Sequence, residues 1–271
     1  MRSALLLGRH HQQIGTVDLV AEGPCAIAIS RGGAPKRYSY TEPNEDACCF
    51  VWGPHGVMLA VADGHHGAGG SERAIQHLVE SASGWLDEPT TDRASLGGAL
   101  VEQLRKAVGE IGVAIFDEAA AVGLPPPATT LSVAVVRPGD DLLAHASIGD
   151  SHVFVTSDAQ PCDLGWSAGR DDNPEYLGRE RDLADEAKLT VDFASLSSTR
   201  AVALITDGFS EHGIGHPDPA AELHTLQIDS LNGAPDLRAP DTCRAITESA
   251  LDVQRRNRSG DNVACAVWAA E

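Results

Sequence analysis

The sequence predicts an α+β fold in which two antiparallel sheets pack face to face and helices cover their outer surfaces. Two observations support this prediction. Short apolar runs are joined in pairs by connections too short for a parallel crossover, so each pair must be antiparallel. Segments with apolar residues at three- and four-residue steps alternate with these strand pairs, which is typical of layered α+β domains.

The first part of the chain contains an arm and three predicted strands. Residues 1–24 are weakly patterned and are expected to form an N-terminal arm, and residues 25–271 are expected to form a single domain. Apolar runs predict strands at 25–30, 47–52 and 57–62. Gly53-Pro54-His55-Gly56 joins the last two runs, which predicts a hairpin.

Two amphipathic helices are predicted next. Apolar residues recur at helical spacing from Ile75 to Leu86, with Ser71 near the N-terminal cap. The same spacing returns from about Ser95 to Val122. Three consecutive prolines after Leu124 end this second helix.

The second half of the chain is predicted to alternate between strands and less regular segments. Strands are predicted at 129–136 and 142–148, extended by 153–155, and later at 201–206 and 262–268. Residues 157–200 are polar and weakly periodic, which predicts a flap or insertion. Residues 211–240 read as irregular, and a helix is predicted at 241–257.

Composition excludes several classes of function. The chain of 271 residues carries a net charge of −19, which disfavours nucleic acid and anionic membranes as partners. No stretch reaches the ~20 apolar residues of a membrane helix, and the N-terminal apolar run is too short for a secretory signal. The six cysteines show no CxxC spacing, so we expect reduced thiols in a cytoplasmic protein.

Four aspartates stand beside apolar strand-like runs: Asp46, Asp63, Asp207 and Asp261. Strand ends can direct distant carboxylates to one point, where they repel each other unless a cation lies between them. Oxygen-rich sites of this kind suit Mg²⁺ and Mn²⁺. The pattern therefore predicts a two-metal hydrolytic enzyme, in which Asp63 bridges the ions and the Gly64 carbonyl binds one of them.

Six sequence blocks, taken in order, resemble those of the metal-dependent protein phosphatases of type 2C, the PPM family. They are Asn44-Glu45-Asp46-Ala47, Val61-Ala62-Asp63-Gly64-His65-His66-Gly67, Ala128-Thr129-Thr130-Leu131 with Ile148-Gly149-Asp150-Ser151, Ile205-Thr206-Asp207-Gly208-Phe209, and Gly260-Asp261-Asn262-Val263. The resemblance extends from about Cys25 to Trp268. It implies a four-layer α-β-β-α sandwich of two antiparallel sheets flanked by helix pairs, as in bacterial stand-alone catalytic domains.

The resemblance also implies a site and a reaction. Two Mn²⁺ or Mg²⁺ ions would be bound by Asp46, Asp63, Asp207 and Asp261, with the Gly64 carbonyl as a further ligand. Glu45 would act through a metal-bound water, and Asp150 would serve a possible third ion. A metal-bridging hydroxide would attack phosphoserine or phosphothreonine in a protein, a substrate that is the target of a kinase. His65 fits the family's loop and is a candidate general acid, because its ordinary pKa is near neutrality.

The sequence departs from the family at one functional position. Thr41 stands where the family usually has an arginine that grips the substrate phosphate through two parallel hydrogen bonds. Lys36, Arg37 and Arg31 lie in the same segment and are near enough in sequence to supply another cation. His152 replaces the arginine that commonly follows the Gly-Asp-Ser turn.

These departures keep two alternatives open beside an active serine/threonine phosphatase. One is a catalytically weak or inactive relative that acts as a binding or regulatory module. The other is a phosphatase of small phosphorylated metabolites, which the absence of the arginine would permit. Retention of all four aspartates favours the active enzyme over the first alternative. The oligomeric state and the physiological substrate leave no trace in the sequence.

Overall fold

Two six-stranded antiparallel sheets form the centre of the protein in the computed structural model, which describes residues 1–87, 92–165, 174–183 and 188–270. The first sheet contains, in spatial order, β1 (Arg2–Leu7), β4 (Ala47–Trp52), β5 (Val57–Ala62), β8 (Leu131–Arg137), β9 (Leu142–Ile148) and β12 (Thr190–Ala194). The second contains β11 (Cys162–Asp163), β10 (His152–Thr156), β13 (Ala201–Ile205), β14 (Val263–Ala269), β3 (Cys25–Ser30) and β2 (Asp18–Glu22). Two short strands, β6 (Gly64–His65) and β7 (Ala128–Thr129), pair separately.

Helices cover the outer face of each sheet. They are α1 (Gly69–Ser81), α2 (Ser83–Leu86) and α3 (Arg93–Ala121) on the first sheet, and α4 (Pro219–Ser230) and α5 (Pro235–Asn257) on the second. Side chains alternate along each strand, so that in β4 Cys49 and Val51 contact the helices while Cys48 and Phe50 contact the other sheet. The result is the four-layer α-β-β-α sandwich that the sequence predicts, and that prediction is confirmed.

The N-terminal residues are not a separate arm. Residues 2–7 and 18–22 form β1 and β2, which add one outer strand to each sheet. Both strands are half-exposed and carry charged residues, as outer strands often do, and therefore lack the continuous apolar run that identifies inner strands. The N-terminal arm is a wrong prediction for these residues.

The segment 157–200, predicted as a flap, contributes to both sheets. It contains β11 and β12, while residues 166–173 and 184–187 lie outside the described part of the chain. The segment 211–240, predicted as irregular, contains all of α4 and the start of α5. Pro219 is the first residue of α4, where a backbone N–H would have no partner within the helix. In this segment a proline therefore marks the start of a helix, although proline commonly ends one.

No helix within the described ranges combines the length and the apolar character needed to cross a bilayer.

Candidate metal centre

Both sheets bring acidic residues to the same edge of the sandwich. Asp46 precedes β4 and Asp63 follows β5, and the antiparallel pairing of these strands places the two residues side by side. Asp207 follows β13 and Asp261 precedes β14, which are likewise paired antiparallel. The Thr206 hydroxyl donates a hydrogen bond of 2.8 Å to Asp46 Oδ2 and so joins the two sheets at this edge.

Three of the carboxylates could bind a single ion. Oxygens of Asp63, Asp150 and Asp207 all lie within 4.8 Å of one another, and Asp150 comes from the turn between β9 and β10. We call the acidic cluster the set formed by Asp46, Asp63, Asp150, Asp207, Asp261 and Glu45. Such a set offers only hard oxygen ligands, which are those that Mg²⁺ and Mn²⁺ prefer.

Asp46 has an oxygen that suits a cation. Its side chain is buried, and Oδ1 accepts no hydrogen bond from the described part of the chain. Burial, followed by the charge of Asp261, raises the pKa of Asp46 to about 7. A divalent ion would supply the missing partner and restore the ionised form.

The pKa values of Asp63 and Asp207 are shifted in the same direction as that of Asp46. Burial raises the pKa of both groups well above the ordinary value for Asp, and neighbouring carboxylates raise it further. No lysine or arginine nitrogen in the described ranges lies within 4.0 Å of Asp46, Asp63 or Asp207. The buried oxygens, their spacing and their unneutralised charge together fit bound divalent ions.

Two threonines fix the backbone of Asp63. Its amide N–H donates to Thr130 Oγ1 over 3.0 Å, and its carbonyl accepts from Thr129 Oγ1 and from the Thr130 amide, each over 2.9 Å. The Thr130 hydroxyl also lies 3.0 Å from that of Ser151, which follows Asp150. Two strand ends that carry acidic residues are therefore held together by short buried hydrogen bonds.

Gly64 is required by a close approach of backbone to backbone. A Cβ atom at this position would lie 2.5 Å from the carbonyl oxygen of Glu45, and the Gly64 amide donates to that oxygen over 3.2 Å. Glu45 Oε1 accepts from the amides of Thr41 and Glu42, each over 3.2 Å. The Glu45 amide donates to Asn262 Oδ1 over 2.9 Å, which ties the first sheet to the second.

Lys36 and Tyr38 contact Asp261. The Lys36 ammonium lies 3.2 Å from Asp261 Oδ1 and 4.0 Å from Glu45 Oε2. The Tyr38 hydroxyl donates to the same Asp261 oxygen. Burial lowers the pKa of Lys36, but the nearby carboxylates, Asp261 foremost, outweigh it and leave the pKa raised. Sequence reasoning named Lys36 only for its proximity and missed Tyr38, which belongs to no motif.

His65 lies against Asp63 and Tyr176. Its Nε2 is 3.7 Å from Asp63 Oδ2, and its ring meets the Tyr176 ring edge-on at 4.3 Å between centroids. Burial lowers the pKa of His65 to about 4, so the imidazole is neutral at pH 7. A general acid needs a proton at the working pH, and this environment does not favour that role.

His152 connects the turn that carries Asp207 to the segment after β10. Its Nδ1 lies 2.8 Å from Asp163 Oδ2, and its Nε2 lies 2.6 Å from Ser210 Oγ. Asp163 also accepts from the amides of Val153 and Gly165. Ser210 comes three residues after Asp207 and donates to its carbonyl over 3.4 Å. The sequence did not predict these contacts of the buried His152.

The family model described as protein phosphatase 2C matches residues 35–239, which include most of the acidic cluster. No protein with a curated description matches the sequence.

Solved structures of phosphatases share the fold. The serine/threonine phosphatase Stp1 from Staphylococcus aureus is 17% identical, with 96% of this chain and 98% of that chain covered and a TM-score of 0.67. The serine-threonine phosphatase 2C from Toxoplasma gondii is 15% identical, with 95% and 100% covered and a TM-score of 0.69. The catalytic domain of PstP, solved with two manganese ions, is 21% identical, with 94% and 99% covered and a TM-score of 0.60. At these identities the likeness shows the fold.

Proposed function

This chain belongs to the protein phosphatase 2C family, and from that premise we propose that it removes phosphate from phosphoserine and phosphothreonine in proteins. Membership makes it a metal-dependent serine/threonine phosphatase. We also propose that the protein substrate is the target of a kinase. The proposal further assigns the metal ligands and a role to each residue of the acidic cluster.

One observation supports the proposal most strongly. Both sheets deliver buried carboxylates to one edge, and the oxygens of Asp63, Asp150 and Asp207 come within 4.8 Å of one another. Within the described residues, Lys36 is the lysine that contacts the acidic cluster. One ammonium cannot neutralise the charge of six carboxylates. Because buried like charges are costly, bound cations would stabilise the ionised form of a site of this composition at neutral pH.

We propose that different residues of the acidic cluster bind the two ions. Asp63 would bridge them, the Gly64 carbonyl would bind one, and Asp46, Asp207 and Asp261 would complete the protein ligands. Glu45 would act through a water, since two backbone amides already occupy its Oε1. Asp150 would serve a third ion beside Asp63 and Asp207. The relative PstP was solved with two manganese ions, which favours manganese or magnesium here.

The bound ions would supply two effects: they lower the pKa of an attacking water and neutralise charge on the transferring phosphoryl group. The protein supplies orientation. Thr206 holds Asp46, while Thr129 and Thr130 hold the backbone of Asp63. These bonds fix the carboxylates before substrate arrives, so little reorganisation is needed during the reaction.

The activity can be tested on p-nitrophenyl phosphate and on a phosphothreonine peptide with millimolar manganese. We expect hydrolysis of both that EDTA abolishes, and a loss of at least about a hundredfold in kcat for Asp63→Asn and Asp207→Asn, since removal of one electrostatic stabiliser costs about that much. Asp158→Asn is the matched control, because its side chain is 92% exposed. Absence of metal-dependent hydrolysis by the unmodified protein would refute the proposal.

The same assays separate the other possible functions. A higher kcat/KM on sugar phosphates than on phosphopeptides would indicate a metabolite phosphatase. Metal binding without turnover would indicate an inactive relative. The role of His65 as a proton donor stays a prediction: it requires that His65→Ala slow the peptide more than p-nitrophenyl phosphate, whose leaving group needs no proton.

We also place the protein in the cytoplasm. Five of its six cysteines are buried free thiols, and burial raises the pKa of Cys25 to about 12, which keeps that thiol unreactive. Buried, reduced cysteines are common in reducing compartments. Fractionation of cells with an antibody to the protein would test this assignment.

A further inference from the structure

Lys36 is a buried cation inside an acidic site. Its side chain is 4% exposed, and its ammonium lies 3.2 Å from Asp261 Oδ1 and 4.0 Å from Glu45 Oε2. Lysine is almost never fully buried unless it is paired, because desolvation of the ammonium is costly. Two aromatic rings add to its environment: the ammonium lies 5.2 Å from the centroid of Tyr38 and 5.8 Å from that of Tyr40.

The backbone before Lys36 is held tightly beside Asp261. The Gly260 amide donates to the Pro35 carbonyl over 3.1 Å. A Cβ atom on Gly260 would lie 1.7 Å from the Ala34 carbonyl oxygen, and one on Gly32 would lie 2.3 Å from the Asp261 carbonyl oxygen. Only glycine permits both approaches. The position of the Lys36 backbone is therefore set by close packing against the segment that supplies Asp261.

Lys36 and Thr41 contact different oxygens of the Glu45 carboxylate. The Thr41 amide donates to Glu45 Oε1, and Lys36 faces Glu45 Oε2. Thr41 itself has no charge to offer. Arg31 donates to the Gln12 carbonyl over 3.0 Å, and Arg37 is exposed. Among the cations of this segment, Lys36 is the one that contacts the acidic cluster.

A phosphate dianion needs a further cation at this site. When only the two ions of the binuclear site are bound, the six carboxylates of the acidic cluster carry more negative charge than those ions neutralise. A dianionic phosphoryl group would therefore meet residual negative charge near Asp261 and Glu45 unless an ammonium stood there. Lysine is suited to this task as a compact point charge on a flexible stem, which can turn from a carboxylate to a phosphate oxygen.

We propose that Lys36 binds the phosphoryl group of the substrate, as the cation that this chain uses in place of one at position 41. The inference rests on the proposed phosphatase function, because it assigns the phosphate contact within that same site. Lys36 then has two partners in succession. It pairs with Asp261 in the free protein and with a phosphate oxygen when substrate or inorganic phosphate is bound.

Calorimetric titration of inorganic phosphate into the manganese-loaded protein tests the proposal without requiring turnover. We expect Lys36→Met to weaken phosphate binding about tenfold or more, the value of a hydrogen bond between charged groups, while two manganese ions still bind. Lys36→Arg should retain most of the affinity because it keeps the charge. Thr41→Arg in the Lys36→Met background should restore part of it. Arg37→Met is the matched control, and we expect less than about a twofold change, since exposed charges contribute little.

Each outcome of these titrations either supports or overturns the inference about Lys36. Phosphate affinity that is unchanged in Lys36→Met, with manganese bound, overturns the inference and leaves the phosphatase proposal intact. Tighter manganese binding with unchanged phosphate affinity also overturns it, and shows that Lys36 only neutralises carboxylates. Weaker phosphate binding in Lys36→Met, in a protein that hydrolyses no substrate, supports Lys36 while the phosphatase proposal fails. Phosphate that does not bind the unmodified, manganese-loaded protein overturns the inference about Lys36, while the hydrolysis assays still decide the phosphatase proposal. Thermal melting of each variant identifies any that do not fold.

Discussion

Thr206 joins the second sheet to Asp46, beside the first sheet, through a buried hydrogen bond. Its hydroxyl donates to Asp46 Oδ2 over 2.8 Å and accepts from the Ala264 amide over 2.8 Å, and all three groups are buried. Each bond satisfies a group that would otherwise be left without a partner away from water. One small side chain therefore joins Asp46, a proposed metal ligand beside the first sheet, to a strand of the second.

Replacement of Thr206 by valine should weaken both the fold and the metal site. The two side chains have nearly the same shape, so the change removes the hydroxyl with little loss of packing. We expect a loss of about 1–3 kcal/mol in the free energy of unfolding, measured by urea denaturation, because buried partners stay unsatisfied. Manganese affinity should fall about tenfold or more by calorimetry. Thr206→Ser keeps the hydroxyl and serves as the control; equal behaviour of the two variants would contradict this role.

The raised pKa values of the carboxylates predict how stability depends on pH. Asp46 has a folded-state pKa of about 7 against an ordinary value of 3.8, and Asp63 and Asp207 are shifted in the same direction. Between about pH 4 and pH 7 these three carboxylates therefore bind more protons in the folded protein than in the unfolded chain. Their contribution to the free energy of unfolding of the metal-free protein falls as the pH rises, whereas the lowered pKa values of His65, His145 and His216 act in the opposite direction. We expect the carboxylates to dominate, because the pKa values of Asp63 and Asp207 are raised well above the ordinary value.

Melting curves in EDTA at pH 5.5 and pH 8.0 would check this sign. We expect a Tm about 5 °C or more lower at pH 8.0, since each kcal/mol corresponds to about 2–4 °C for a domain of this size. Manganese should abolish the difference, because bound cations neutralise the same carboxylates. A metal-free Tm that rises from pH 5.5 to pH 8.0 would rule out the raised pKa values as the dominant effect.

At the residue scale, the sequence predicted the acidic residues but not what surrounds them. Asp46 and Asp63 could be identified because each stands beside an apolar run that had to be a strand. Lys36 and Tyr38 lie in a polar segment without regular structure, and their contact with Asp261 depends on how residues distant in the chain pack. Such contacts follow from tertiary structure, and no local pattern signals them.

At the element scale, inner strands were predictable and outer strands were not. Strands β3, β4 and β5 are almost wholly buried on both faces, and their continuous apolar runs gave bounds that agree with the structure. β1, β2 and β12 are half-exposed and mix apolar with polar residues, so nothing separates them from loops. Helix α5 begins at Pro235, earlier than predicted, and it continues through Pro240 although this proline cannot donate a backbone hydrogen bond.

The contacts of His152 link elements that carry the metal site. His152 on β10 contacts Asp163 on β11 and Ser210 beyond the turn that carries Asp207. We expect His152→Ala to cost about 1–3 kcal/mol in the free energy of unfolding, since it removes two hydrogen bonds made by a buried side chain. A double-mutant cycle with Ser210→Ala, measured by urea denaturation, should give a coupling energy of about 1 kcal/mol. Strict additivity of the two single effects would show that the contact contributes nothing.

At the scale of the whole molecule, the layered fold follows from short connections and from helical segments placed between strand pairs. These features suffice to predict two antiparallel sheets with helices outside, because few arrangements bury all the apolar faces. The sequence does not determine how far strand ends of different sheets lie from one another. Thr206 and Asn262, which connect the sheets beside the acidic cluster, stand inside two of the family-like blocks, but the sequence assigns neither of them a role.

The net charge of the molecule affects how a substrate approaches it. A net charge of −19 would repel a phosphoprotein substrate at long range, whereas bound divalent ions reverse the sign of the field locally. Substrate should therefore approach productively only where the ions lie. This connects the overall composition to the central claim, that distant carboxylates gather around two metal ions.

Anomalous diffraction at the manganese edge, from crystals grown with manganese, tests that claim most directly. We predict two peaks within about 2.5 Å of carboxylate oxygens, one on either side of Asp63, with Asp207 and Asp261 also in contact. Phosphate added to the same crystals should lie against both peaks. Crystals that show no peak beside Asp63, with Lys36 still paired to Asp261 at millimolar manganese, would contradict the account.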